Sequence, residues 1–138
     1  MQKKVMAISI DVFIDQSDEH TLKLEENFYW YLHPMFEQIN AHTGRYIDLH
    51  GKCIFPVESL SVLQKYIFEK KHTIRQLKPS ALVFISGEII VKTKNGRTIR
   101  KDNIVEVDKI NLLNFLTQIN NLIDIARQNS CELHFIGD

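Results

Sequence analysis

Asp11, Asp15, Asp18 and Glu19, followed by His20, form the densest run of oxygen and nitrogen donors in the chain. Carboxylates suit hard cations such as Mg²⁺ or Ca²⁺. Asp11 and Asp15, brought by folding to His50, would make a small metal-dependent hydrolase, since active sites assemble from distant segments. The run lacks the alternating acids, central glycine and closing glutamate of a calcium loop. A solvated loop with a helix-capping acid accounts for the same residues. Cys53 with His50 or His42 has the residue types of a thiol nucleophile and its base, because an imidazolium partner lowers a thiol pKa. Cys53 sits, however, in the apolar triplet Cys53-Ile54-Phe55, where a small buried hydrophobe is the commoner role.

Other chemistries lack their residue patterns. The six histidines, His20, His33, His42, His50, His72 and His134, include no pair at the i, i+4 spacing of a zinc protease helix. His134 alternates with apolar neighbours and reads as the solvent-facing residue of a strand. The two cysteines, Cys53 and Cys131, stand far apart with no second cysteine beside either, so no zinc ribbon is encoded. Ser86-Gly87 lies in no Gly-x-Ser-x-Gly elbow and reads as a bulge or turn. The five glycines stand singly at turns, which leaves no phosphate cradle. Neither a metal nor a cofactor is expected.

The elements that would carry these residues follow from hydrophobic spacing. Val5 to Ile14 is rich in β-branched residues and reads as a mostly buried strand. Asp15 to His20 reads as the first loop. From Leu22 to His42, Leu24, Phe28, Tyr31, Leu32, Met35, Phe36 and Ile39 recur at steps of three and four, which predicts a helix kinked or restarted at Pro34 and stopped by Gly44. Within it, Phe28 and Tyr31 are expected to face inward and Tyr29 or Trp30 outward. Arg45 to Phe55 suits two short strands around His50-Gly51-Lys52. Val57, Leu60, Leu63 and Ile67 predict a second helix running to about His72.

Ala81 to Ile85 and Glu88 to Thr93 are strand-like, with an Asn-Gly turn in Lys94-Asn95-Gly96-Arg97 before Thr98 to Arg100, and Ile104 to Val107 continuing the sheet. Asp108 is placed to cap a third helix that buries Leu112, Leu113, Leu116, Ile119, Leu122, Ile123 and Ala126. Cys131, Leu133 and Phe135 alternate as a last strand. At 138 residues, with no linker or repeat, the chain is expected to form a single α+β domain over residues 1–138. Its expected architecture is a mixed or antiparallel sheet of about five to six strands packed with three helices.

Charge narrows the partners. The formal net charge is zero, so the general electrostatic footprint of a nucleic-acid or anionic-membrane binder is missing. Met1 to Lys4 and the following run, interrupted by Asp11 and Asp15, form neither a signal peptide nor a membrane span, which points to the cytoplasm and to reduced thiols. Locally the chain is divided. Seven acids face only Lys23 between Asp11 and Glu37, and ten bases face only Glu69 and Glu88 between Lys65 and Lys101. Such polarity steers a charged partner, although a basic hairpin also keeps a sheet edge from pairing with other chains. The basic stretch Lys92 to Lys101 admits a nucleic-acid module as a further reading. The surface expected to meet a protein is acidic and aromatic: Asp15, Asp18, Glu19, Glu26, Tyr29 and Trp30.

The run Thr43-Gly44-Arg45-Tyr46-Ile47-Asp48-Leu49-His50-Gly51, with Phe55-Pro56 and then Leu60 and Leu63 on a helix, resembles small bacterial immunity proteins encoded beside polymorphic or contact-dependent toxins. Those proteins carry a comparable aromatic-Ile-Asp stretch, turn glycine and helix. The likeness covers about residues 43–74, and His50 stands where they tend to have an aromatic before the glycine. It implies a cytosolic, non-enzymatic inhibitor that binds one cognate toxin domain and blocks its active site or substrate access. Immunity interfaces vary with their toxins, so the resemblance assigns no binding residue. An acidic face suits a basic partner such as a nuclease toxin.

Overall fold

A computed structural model of the chain describes residues 8–14, 17–78 and 80–138, with the backbone alone at 17–20, 83–92 and 101–103. In strand β1, Ser9–Ile14, the buried Ile10, Val12 and Ile14 alternate with half-buried neighbours. This is the period of a strand with one face on a core. Strand β2, Ser17–Glu25, runs antiparallel beside it, with Leu22 opposite Val12 and Leu24 opposite Ile10. That pairing corrects two expectations. Ser17 to His20 belong to a strand instead of a loop, and the first helix begins at Glu26 instead of Leu22. Leu22 and Leu24, two residues apart, extend the core face of the sheet, a placement that helical spacing would not give them.

Helix α1, Glu26–Thr43, runs through Pro34 as one element. Pro34 lacks the amide that would bond the carbonyl of Trp30. Gly44 ends the helix at φ 74°, its amide bonding Asn40 O at 2.7 Å. This left-handed stop costs a glycine no Cβ clash. Of the two strands expected between Arg45 and Phe55, only β3, Lys52–Phe55, forms. The stretch before it directs its carbonyls elsewhere: Ile47 O accepts from the Tyr29 hydroxyl and Leu49 O from the Asp138 amide. Arg45 bonds Ile54 O at 2.9 Å, which occupies part of the β3 edge.

Helix α2, Leu60–Arg75, follows a single 3-10 turn at Val57–Ser59 and ends at Arg75 instead of His72. Strands β4, Ala81–Lys92, and β5, Thr98–Asp108, form one long antiparallel hairpin closed at the Asn-Gly turn. Its register shifts between Ile85 and Glu88, placing a bulge at Ser86-Gly87. Asp108 caps helix α3, Lys109–Gln128, by accepting the Asn111 amide at 3.0 Å. Asp108→Ala is expected to cost about 1 kcal/mol, seen as a lower urea midpoint at unchanged slope. The Lys109 ammonium reaches the carbonyls of Arg75 and Leu77 at the end of α2, a cation on the negative pole of that helix.

Strand β6, Leu133–Ile136, inserts between β1 and β3, giving a four-stranded sheet in the order β2-β1-β6-β3. The β4-β5 hairpin is a separate two-stranded sheet, and every pairing is antiparallel. The architecture is therefore α+β with three helices and six strands among the described residues. Those strands divide between two sheets. The core face carries Ile10, Val12, Leu24, Phe55, Leu133 and Phe135, against α1, α2 and α3 residues such as Leu32, Phe36, Leu63, Ile67, Leu116 and Ile123. Leu82, Val105 and Val107 tie the hairpin base into the same core. No helix among the described residues is long and apolar enough to cross a membrane.

Candidate functional site: the outer face of helix α1

Because α1 begins at Glu26, its buried stripe is Phe28, Tyr29, Leu32, Met35, Phe36 and Ile39. Tyr29 is only 1% exposed, which corrects its assignment to a partner-facing surface. Its ring packs on Phe36 at 5.3 Å between centroids and in a T-shaped pair with Trp30 at 5.0 Å. Phe28 faces inward against Phe115. Tyr31 is half-buried, with the Lys70 ammonium 5.5 Å from its ring centroid. Burial raises the Tyr31 phenol pKa and lowers that of the Lys70 ammonium. Both shifts favour the neutral side chain.

On the outer side, Glu26, Trp30, His33 and Glu37 follow one another at steps of four, three and four along α1, which aligns them on one helical face. Trp30 Nε1 donates to Glu26 Oε1 at 3.5 Å, and the Trp30 and His33 rings lie 5.4 Å apart. His33 Nδ1 is 2.9 Å from Glu37 Oε1, and Nε2 is 2.7 Å from the Tyr46 hydroxyl. Tyr46 OH lies 3.0 Å from Tyr29 OH, which donates to Ile47 O at 2.8 Å.

The Tyr29 hydroxyl donates to Ile47 O and is paired with the Tyr46 hydroxyl, where either oxygen can be the donor. The Tyr46 hydroxyl is paired in turn with Nε2 of His33, where the donor depends on the imidazole tautomer. Nδ1 of the same ring faces the Glu37 carboxylate. The order carboxylate, imidazole, hydroxyl is that of a hydrolase triad, with a tyrosine phenol in the place of the serine. The bonds to Tyr29 and His33 hold Tyr46 against α1. Burial pushes the Tyr29 phenol pKa well up, so the hydroxyl keeps its proton.

The sequence-predicted residues fall into three groups. Glu26 and Trp30 come together on this face, and Tyr29 lies beneath it. Asp15 lies outside the described residues, as do the side chains of Asp18 and Glu19, whose backbone belongs to β2. His33, Glu37 and Tyr46 are not among the residues expected at the partner-facing surface. The i, i+4 pairing of His33 with Glu37 was the available signal, whereas the contact with Tyr46 depends on the chain returning after Gly44.

The other candidate chemistries separate. Asp11 pairs with Lys23 at 3.7 Å, while His50 Nδ1 lies 3.3 Å from the Asp138 carbonyl. Strand β6 stands between β1 and β3, so Asp11 and the residues leading into β3 are two strand spacings apart, about 10 Å. No group of three or more His, Cys, Asp or Glu is placed to hold a metal among the described residues. His134, expected to face solvent, is half-buried and stacked on Phe13 at 5.1 Å, with Nε2 buried and without a hydrogen-bond partner.

Cys53 is buried, and burial raises its thiol pKa to about 11, the reverse of what a nucleophile needs. Both thiols are free. In native protein at mildly alkaline pH, iodoacetamide is expected to alkylate the half-buried Cys131 while leaving Cys53 protected until the chain unfolds. Peptide mapping that finds the two labelled at similar rates would contradict the buried position of Cys53.

Comparison of the chain with protein-family models, with curated proteins and with solved structures finds no match among any of them.

Proposed function

We propose that this chain is a non-enzymatic protein-binding module of the immunity type, an inhibitor that docks a basic domain of one cognate toxin onto the outer face of α1. The observation that carries this reading is the face itself. Trp30 is partly exposed, Tyr46 is 37% exposed, and both are held by hydrogen bonds between Glu26 and Glu37 on a helix that contains no lysine or arginine. Aromatic anchors that are already fixed lose little freedom on binding. Acids around them speed encounter with a basic partner and penalise an acidic one. Tyr46 also lies in the segment that resembles immunity proteins, which supports the choice of partner class.

The test is co-expression with the product of the adjacent gene, followed by gel filtration and calorimetry. A one-to-one complex is expected, weakened about thirtyfold or more by Trp30→Ala, the loss typical of a central aromatic. Reversing Glu26 and Glu37 to lysine is expected to slow association and flatten its salt dependence. Absence of a complex with a toxin-like neighbour, or wild-type binding by both sets of variants, would remove this reading.

A further inference from the structure

α2 and α3 pack antiparallel. Gln64, early in α2, bonds Asp124 at 2.6 Å, Arg127 at 2.7 Å and the Asn120 carbonyl at 3.5 Å, late in α3. Lys109, at the start of α3, reaches the last carbonyls of α2. Leu63, Ile67, Leu116, Ile119 and Ile123 seal the core below. Above them the helices leave an open cleft of about 490 Å³, within the range of ligand sites.

Three features of this cleft are unexplained by the fold. Phe68 is 65% exposed on its wall. Lys65 and Lys71 flank Phe68 at steps of three on the same wall, and α2 as a whole carries Lys65, Lys70, Lys71 and Arg75 against the single acid Glu69. Across from them, Asn120 lines the cleft, and its Oδ1 is a buried acceptor without a hydrogen-bond partner. A buried acceptor calls for an N–H donor. A bare anion would answer the lysines and not the amide oxygen. A peptide does both, because its backbone donates N–H groups while its carboxylates meet ammonium groups and an apolar side chain covers an aromatic ring.

We propose that the α2–α3 cleft is a second docking site, one that takes an acidic peptide segment of a protein partner, with Phe68 as apolar anchor, Lys65 and Lys71 as carboxylate contacts and Asn120 as acceptor of a backbone N–H. The cleft shares no residue with the α1 face, so either surface can fail its test without the other. Their charge preferences are opposite: the α1 face suits a basic domain and the cleft an acidic strand. A partner carrying both would be held at two points, and linked contacts raise overall affinity without new chemistry.

The experiment titrates the ¹⁵N-labelled full chain with a short peptide in which leucines are set among glutamates, and with a control carrying lysines in place of the glutamates. Amide shifts are expected around Phe68, Asn120 and Asp124 with the acidic peptide alone. Phe68→Ala, and separately the pair Lys65→Glu and Lys71→Glu, are expected to weaken binding about tenfold or more. Asn120→Leu removes the orphan acceptor, so it is expected to keep the thermal midpoint and still weaken the peptide. The proposal is overturned if the acidic peptide produces no shifts or shifts elsewhere, if the lysine peptide binds equally well, if the variants bind like wild type, or if a mixed oligonucleotide binds the cleft more tightly than the peptide.

Discussion

Gly137→Ala is expected to lower the unfolding free energy by about 3 kcal/mol, the upper end of what overpacking usually costs. A Cβ at this position would stand 2.1 Å from the carbonyl oxygen of Leu49, 2.5 Å from its carbon and 2.8 Å from the oxygen of Asp48. These are backbone atoms, so no side-chain rotation relieves the contact. The opposing segment is also pinned: Gly137 N bonds Gly51 O at 2.7 Å, Asp138 N bonds Leu49 O at 3.2 Å, and His50 N bonds Asp48 Oδ1 at 3.0 Å. The Leu49 side chain is only 3% exposed. Moving the turn aside would therefore break backbone bonds and withdraw a core residue together. Gly96→Ala is the control. Gly96 sits at the hairpin tip with φ 76° and open space around the added carbon, so only the left-handed backbone penalty applies, about 1 kcal/mol. Urea melts of the two variants separate a steric effect from a conformational one. Equal losses would mean that the approach of Leu49 to Gly137 is looser than described.

Gly137 also shows where sequence reading ends. The last strand was legible from the alternation of Leu133 and Phe135, and the hairpin from Asn95-Gly96, because turn chemistry and a period of two are local. That β6 would lie between β1 and β3, and that the residue after it would press on the turn leading into β3, are facts of pairing between distant segments. The misassigned start of α1 has a related cause. Leu24, Phe28, Tyr31 and Leu32 fit a helical spacing, but Leu22 and Leu24 equally fit a strand, and only the presence of Ile10 and Val12 opposite them decides the matter. Starting the helix at Leu22 turned its predicted inner face toward Tyr31 and away from Tyr29. The acid and the tryptophan of the candidate surface, Glu26 and Trp30, were visible as types. The network that fixes the surface was not, because Tyr46 reaches His33 only after the chain turns back at Gly44.

Removing the Tyr29 side chain in Tyr29→Ala is expected to cost about 3–5 kcal/mol, as for other buried aromatics. Tyr29→Phe, which keeps the packing on Phe36 and Trp30, isolates the hydroxyl. That hydroxyl donates to Ile47 O, beside a side chain only 1% exposed, and is paired with the Tyr46 hydroxyl, which His33 also joins to the helix. Its loss leaves a shielded carbonyl without a donor, expected to cost about 2 kcal/mol. Tyr46→Phe removes the outer hydroxyl, which at 37% exposure has water as an alternative, and is expected to cost less than Tyr29→Phe. The two substitutions share one chain of bonds, so their effects are expected to fall short of additivity by about 0.5 kcal/mol or more. Additive losses would mean that the two hydroxyls act separately. Tyr29 is too buried to touch a partner, yet Tyr29→Phe removes one of the two hydrogen bonds that hold Tyr46 against the helix, leaving only that to His33, so it is expected to weaken the proposed complex while leaving Trp30 and both glutamates in place. A partner affinity unchanged in Tyr29→Phe but reduced in Trp30→Ala would place the binding energy on the tryptophan alone and make the hydrogen-bonded chain a stabilising device with no part in recognition.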